Sequence, residues 1–350
     1  MARRIRKTLW SRSFQRTLGA LTRATLRRGT RAVVKASTKA LKAAVKPPAR
    51  PRKAAAATRS AAGNWLSGAA IGPAGARRYQ LFKPPGARRS SPLPVLVMLH
   101  GCDQDVAGFA RSTRMQALAA REGFMLLFPE QDRLANPQGC WNWFETRSGR
   151  AFTEAASLIA VVDQACALHG ADPARVAVAG FSAGAGMAGF LALHYPARFR
   201  AVAMHSGIAP GTAHSTGTAI SAMQGRRTPH PLAPSTVLPP LLVIQGSADA
   251  IVRAGNGRAA AQLWGDAAGA RPSAARSVQR GARRAMTLID FKLRGRIVAT
   301  LCEVVGLGHA WSGGAASQRY GDATGPDASR LIWAFAARQF AVVAQSAAKQ

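Results

Sequence analysis

The sequence predicts an α/β fold: a mostly parallel central sheet with helices on both faces, preceded by a basic N-terminal extension that is helical or disordered. Three observations carry that expectation. Short, continuous apolar runs recur along the chain, each of a length and Val/Leu/Ile content that suits a strand buried on both faces. Stretches with helical spacing alternate with these runs, which is the order a parallel sheet needs for its crossovers. Finally, residues 176–193 hold four glycines and a single polar side chain, Ser182. The glycines divide that stretch into strand, turn and helix, so no membrane span is expected from it.

The extension comes first. The chain has 350 residues and a formal charge of +33, yet no acidic residue precedes Asp103 while 23 Lys and Arg lie in residues 1–102. A hydrophobic content of 48% supports a real core and excludes wholesale disorder, and four Cys exclude a disulfide-stapled mini-protein. In residues 1–62 a basic residue interrupts every candidate for the roughly 7–15 apolar residues of a secretory signal, so none is expected. Trp10, Phe14, Leu18 and Leu21 share one side of a helix, with Arg12, Arg16, Arg23 and Arg27 opposite and Ile5 and Leu9 off the stripe. A basic amphipathic helix suits an anionic or lipid-like surface. A disordered basic tail with nonspecific affinity for nucleic acid fits as well, as does an Arg-rich transit peptide. After Lys46 the composition reads as a flexible linker. The expected division is therefore leader and linker over 1–62 and a globular domain over 63–350.

The globular pattern begins near Tyr79. Residues 94–99 (PVLVML) read as a buried strand ending in a tight His-Gly turn, 113–121 as a helix stopped by Gly123, and 124–128 (FMLLF) as a second strand. A helix over 153–168 turns Leu158, Ile159, Val161 and Val162 inward. Asp172-Pro173 marks a turn before a third strand at 175–179 (RVAVA). Residues 199–204, 241–245 and 297–305 supply further strands, and 331–343 a closing helix. The Pro-, Gly- and Ser-rich connection at 209–239 has the length of a lid or cleft wall.

Chemistry concentrates at four places. Gly180-Phe-Ser182-Ala-Gly184 is G-x-S-x-G between an expected strand and an expected helix. There a strained turn exposes the Ser182 hydroxyl, and small neighbours let strand and helix approach. The next amide, that of Ala183, points toward a developing oxyanion. A structural serine in a tight turn is the plainer alternative. A serine nucleophile needs a base and the base an orienting acid, in chain order Ser, acid, His. Asp249 ends the loop after the 241–245 strand, a position that Asp266 and Asp290 do not share; a turn-capping role is its alternative. His309 lies on a glycine-bounded loop and is the one histidine of seven downstream of Asp249. His169, His194 and His205 read as helix-end or core-edge residues. His100-Gly-Cys102 follows the first strand, where a second oxyanion amide, that of Cys102 or its neighbour, would come from the backbone. His100 then stabilises the turn. Cys166 and Cys302 show no metal-ligand spacing, so no metal is expected.

Four motifs in this order, His-Gly-Cys-x-Gln (100–104), Gly-Cys-Trp-Asn-Trp-Phe (139–144), Gly-Phe-Ser-Ala-Gly (180–184) and Gly-His-Ala-Trp-Ser-Gly-Gly (308–314), resemble the polyhydroxybutyrate depolymerase family of esterases. The resemblance runs from about 81 to 340. It implies an α/β-hydrolase fold, no cofactor, and hydrolysis of short-chain polyester by Ser182 as nucleophile, His309 as base then acid, and Asp249 as its orienter, with Cys102 and Ala183 as oxyanion donors. It also implies a Cys102–Cys140 pairing, which a reducing cytoplasm would keep open. Trp141, Trp143 and Trp311 are expected to wall the substrate cleft, with core packing as the alternative. Feruloyl and acetylxylan esterases share much of the pattern and form the second reading. A granule-coating or nucleic-acid-binding protein with a vestigial site forms the third, opposed by the complete set of three residues. Secreted members begin with a signal peptide and end with a polymer-binding domain. Neither is seen here, so the expectation is a cytoplasmic enzyme on storage granules, docked by its basic helix, with an extracellular location as the alternative. Neither a specific nucleic acid nor a transmembrane segment is expected.

Overall fold

The computed structural model describes residues 63–347, so the expectations for the basic leader lie outside the described residues. The elements are β1 (Asn64–Gly72), β2 (Gly75–Lys83), β3 (Leu93–Leu99), α1 (Val106–Thr113), α2 (Met115–Glu122), β4 (Met125–Pro129), α3 (Arg150–His169), β5 (Ala171–Phe181) and α4 (Ala183–His194). There follow β6 (Ala201–His205), α5 (Thr216–Met223), β7 (Leu241–Gly246), α6 (Gly255–Ala268), β8 (Arg271–Pro272), β9 (Arg276–Val278), β10 (Met286–Leu293), β11 (Arg296–Val304), β12 (Trp311–Ser312), β13 (Gly321–Asp322) and α7 (Ala328–Ala347).

The main sheet runs β1-β2-β4-β3-β5-β6-β7-β11-β10-β8, with β9 also on β10. Its centre is parallel: β3 pairs with β4 and β5, then β5 with β6, β6 with β7, and β7 with β11. Both margins are antiparallel, through β2 against β4 and β10 against β11. The strand period of two explains why the central runs are apolar throughout. Leu96, Met98, Ala177, Ala179, Leu242 and Ile244 join one core with Phe109 of α1, Leu118 of α2 and Phe335 of α7. The alternate residues meet the other layer, as Met204 does under Gly189 of α4 and Gln245 under Gly257 of α6.

Four differences from the sequence expectation have physical causes. The β1–β2 hairpin carries glycines and arginines on half-exposed strands, so it shows no apolar run. The helix expected at 113–121 is α2, which begins at Met115, and a further helix, α1, precedes it, set off by the left-handed φ of 53° at Arg114. The turn at Asp172-Pro173 is an irregularity inside β5: Leu93 faces Ala171 but Val95 faces Val176. The antiparallel margin built by β10 alternates polar and apolar residues and escaped the search for continuous runs. Among the described residues one helix, α3, is long and apolar enough to cross a membrane by length and composition. In the fold it lies against β1, β2 and β5.

Candidate active site

Ser182 joins β5 to α4 with φ 56° and ψ −118°, a strained conformation for a residue with a side chain. The flanking glycines make this turn possible. A Cβ on Gly180 would lie 2.1 Å from the Gly184 carbonyl oxygen, and one on Gly184 would lie 2.1 Å from that of Leu99. The Ser182 N–H donates to the His205 carbonyl at 2.9 Å, and the Ser182 carbonyl accepts from Gly186 N–H at 3.1 Å. The backbone is thereby pinned on both sides. Ala183 is the first residue of α4, so its N–H has no acceptor within the helix, and it has none elsewhere among the described residues.

The structure brings Asp249 and His309 together. His309 Nδ1 donates to Asp249 Oδ2 at 2.8 Å, which leaves Nε2 as the acceptor nitrogen. The His309 ring packs at 4.9 Å on Phe181, the residue before Ser182. Asp249 sits just past β7, where its second oxygen accepts from Ile251 N–H (3.0 Å) and Val252 N–H (2.8 Å). Burial pushes the Asp249 carboxyl up, but the His309 hydrogen bond and charge, with the two N–H groups, outweigh it and hold the group below its ordinary value. The carboxylate is thus charged, buried and fixed, as an orienting acid must be.

The loop after β3 comes to the same place. A Cβ on Gly101 would stand 3.0 Å from the Phe181 ring and 3.4 Å from Ser182 Cβ, so this loop passes close against the Ser182 turn. His100 is buried; its Nδ1 donates to the Gly101 carbonyl at 2.8 Å and its Nε2 accepts from Gln131 N–H at 3.1 Å. Burial lowers its pKa to about 4, so it is a neutral strut and not a base. Cys102 is disulfide-bonded to Cys140, and its N–H has no partner among the described residues. Two uncommitted N–H groups, of Cys102 and Ala183, therefore lie next in the chain to Gly101 and to Ser182. Among the described residues no group of three or more His, Cys, Asp or Glu is placed to hold a metal ion.

Residues 77–264 match the family described as Esterase PHB depolymerase. The chain belongs to that family. A stretch of 129 residues is 37% identical to poly(3-hydroxyalkanoate) depolymerase C of Paucimonas lemoignei, covering 37% of this chain and 31% of that protein. Feruloyl esterase B of Neurospora crassa is 32% identical over 117 residues, 33% of this chain and 39% of the relative. The chain thus spans about a third of the length of these curated relatives. The acetyl xylan esterase from Aspergillus awamori superposes with a TM-score of 0.59 at 19% identity, covering 71% of this chain and 94% of that one. This likeness shows the α/β-hydrolase fold.

In this member of the Esterase PHB depolymerase family the tryptophans do not serve as expected. Trp141 and Trp311 are 0% and 1% exposed, so they do not wall a cleft. Trp141 donates its indole N–H to the His100 carbonyl at 2.9 Å, and Trp311 donates to Ser329 Oγ at 3.1 Å while stacking on His205. Trp143 is buried too, its ring filling the space above Gly186. All three support the site from beneath. The partly exposed aromatic near His309 is Tyr320, 6.4 Å from the His309 ring and 6.0 Å from Phe181. Nothing in its own sequence neighbourhood points to it, since β12–β13 pairing brings it back.

Two further supports were not legible. His205 reads as a core-edge residue, yet its carbonyl holds Ser182 N–H while its Nε2 accepts from Ser312 N–H at 3.0 Å. It bridges the Ser182 turn and the loop bearing His309. Beneath the 139–144 motif lies a buried polar network: Glu154 accepts from Asn142 N–H at 2.6 Å and faces Arg77 at 3.5 Å, while Gln131 donates to the Cys140 carbonyl at 2.8 Å. Burial lowers the Arg77 pKa and raises that of Glu154, with each partner's charge opposing the change. Removing one partner of such a buried pair costs about 3–5 kcal/mol.

Proposed function

We propose that this chain is a carboxylic ester hydrolase acting through Ser182, His309 and Asp249, and that its substrate is poly(3-hydroxybutyrate) or a similar short-chain polyhydroxyalkanoate. The observation that carries the reading is the buried Asp249–His309 pair, 2.8 Å apart, packed against the strained turn that presents Ser182. Ser182 Oγ attacks the ester carbonyl and gives its proton to His309 Nε2, and Asp249 stabilises the imidazolium that forms. The N–H groups of Cys102 and Ala183 receive the oxyanion, each such donor contributing about 2.7–4 kcal/mol to the transition state. Collapse expels the chain alcohol, which takes the proton from His309. Water, activated by the same nitrogen, then releases the hydroxyacyl group from Ser182. Tyr320 offers the aromatic wall for an aliphatic chain.

Family membership and the similarity to poly(3-hydroxyalkanoate) depolymerase C support the polyester. The similarity to feruloyl esterase B supports a second reading, a feruloyl or acetylxylan ester. Native amorphous granules, followed by turbidity and released 3-hydroxybutyrate, decide between them. Clearing by the wild type but not by Ser182→Ala would support the polyester. Absence of clearing, with Ser182-dependent cleavage of a soluble feruloyl ester, would select the second. Residues 1–62 are proposed to dock the protein on the granule. Their deletion should abolish granule co-sedimentation and spare soluble-ester activity; unchanged sedimentation would reject that role.

A further inference from the structure

A second concavity opens between the β9–β10 connection and α7. It has a volume of about 450 Å³, and five arginines line it: Arg280, Arg283, Arg284, Arg330 and Arg338. Asp327 is the one acidic residue in its wall. Three of the arginines have partners. Arg284 meets Asp322 at 3.1 Å, Arg283 donates to the Gly325 carbonyl at 2.7 Å, and Arg330 faces Asp327 at 3.5 Å. The guanidinium groups of Arg280 and Arg338 have no partner among the described residues, and both side chains are exposed.

This concentration is costly without a counter-charge. Five guanidiniums around one pocket repel one another, and low-dielectric walls focus the resulting potential into it. Val278, Met286 and Leu331 supply such walls. A guanidinium cannot be neutralised by losing its proton, and Asp322 and Asp327 offset only two of the five charges, so the remainder suits a bound anion. Its planar fork fits the oxygens of a phosphate two at a time. One carboxylate would leave most of the pocket's charge unmatched, whereas a phosphate group with two or more negative charges would match it. None of these arginines belongs to the Ser182 site, and none is needed for ester hydrolysis.

We propose that this pocket binds a multiply charged phosphate group, gripped by Arg280 and Arg338 from opposite walls and by Arg283 and Arg330 between them. The phosphate is either free in solution or the headgroup of an anionic lipid. Arg283 and Arg284 also anchor the 322–325 loop, so the test leaves them in place. Full-length protein is titrated with inorganic pyrophosphate by calorimetry at physiological salt. In parallel it is floated with phosphatidylcholine vesicles, with and without phosphatidic acid, whose phosphomonoester can carry two negative charges. The pocket variant is Arg280→Ser with Arg338→Ser. A control of equal charge loss, Arg271→Ser with Arg296→Ser, changes two exposed arginines outside the pocket. The basic leader is the same in every protein, so its nonspecific attraction cancels.

The pocket variant should lose about tenfold or more in affinity, since it removes two charge-assisted contacts to the phosphate oxygens. The control should stay within about twofold, and soluble-ester hydrolysis should be unchanged in both. Ala334→Trp, which fills the concavity without removing charge, should weaken binding as well. A loss confined to pyrophosphate identifies a free phosphate; a loss confined to, or shared with, phosphatidic acid flotation identifies a lipid headgroup. Equal losses in pocket and control variants would overturn the proposal, as would full binding by Ala334→Trp. So would the absence of any Arg280- and Arg338-dependent binding in both assays.

Discussion

Ser182 holds a backbone conformation that costs about 1–3 kcal/mol, and two glycines, a carbonyl of His205 and the start of α4 jointly enforce it. That investment is sensible only if the hydroxyl must stand clear of the sheet. Ser182→Ala should therefore fold normally and lower kcat by about 10⁵–10⁶-fold on a soluble ester. Asp249→Asn should lower it by about 10⁴-fold, because an amide favours the wrong tautomer of His309. Residual activity above a hundredth of wild type in either would mean that another group does the chemistry. His205 differs, because it supports the site from behind, through its carbonyl to Ser182 N–H and its ring to Ser312 N–H and Phe181. His205→Phe keeps the stacking on Trp311 but strands the buried Ser312 N–H, costing about 1–3 kcal/mol of stability. Its effect should fall on kcat more than on KM, since it sets where His309 stands. Tyr320→Ala should do the reverse, raising KM severalfold for a polymeric substrate. A kcat effect at Tyr320 with unchanged KM would place it with His205.

At the scale of elements, the parallel centre was legible because strands buried on both faces are nearly continuous apolar runs, as β3 and β4 are and as β6 and β7 are up to His205 and Gln245 near their ends. The chemistry was legible for a related reason: Gly180 and Gly184 answer to backbone contacts of 2.1 Å, which no other residue tolerates. The margins were not legible. A half-exposed strand such as β2 alternates, and its buried Arg77 looks like a surface residue until Glu154 is brought across from α3. Burial of the tryptophans was hidden too, since a sequence shows an indole but not the carbonyl that accepts its hydrogen bond. Two predictions belong here. Gly184→Ala should force β3 and α4 apart, lowering the urea midpoint by the equivalent of about 1–3 kcal/mol and costing activity, as overpacking does. Reducing the Cys102–Cys140 link, which closes a 38-residue separation, should cost about 2–4 kcal/mol. It should also lower kcat, because it loosens the loop carrying the Cys102 N–H. A reduced enzyme with unchanged melting and unchanged kcat would make the link incidental.

For the whole molecule the decisive groups are two histidines buried in the neutral state. In the unfolded chain each takes up a proton near pH 6.5. Folded, burial holds His100 to about 4 and His205 to about 3, and their ring nitrogens are already committed to Gln131, Gly101, Ser312 and Ser206. The native state therefore binds fewer protons than the unfolded state below pH 6.5. Stability is full above that value and drains as pH falls toward 4 and then 3, by up to about 1.4 kcal/mol per pH unit for each histidine. His169 and His194, lowered by burial, act in the same direction. Asp249, held low by His309 against its own burial, adds a further loss below about pH 4. Glu154, pushed up by burial, has the opposite sign, but it is one group against several. Urea unfolding between pH 8 and pH 4.5 should show a flat upper region and then a decline approaching two protons' worth per unit. In His205→Phe the decline should shrink by about one proton, even though the variant is less stable at pH 8. A wild-type profile that stays level to pH 5, or a variant with an undiminished slope, would show that these rings take up protons inside the fold. The struts of the Ser182 site would then have to be drawn differently.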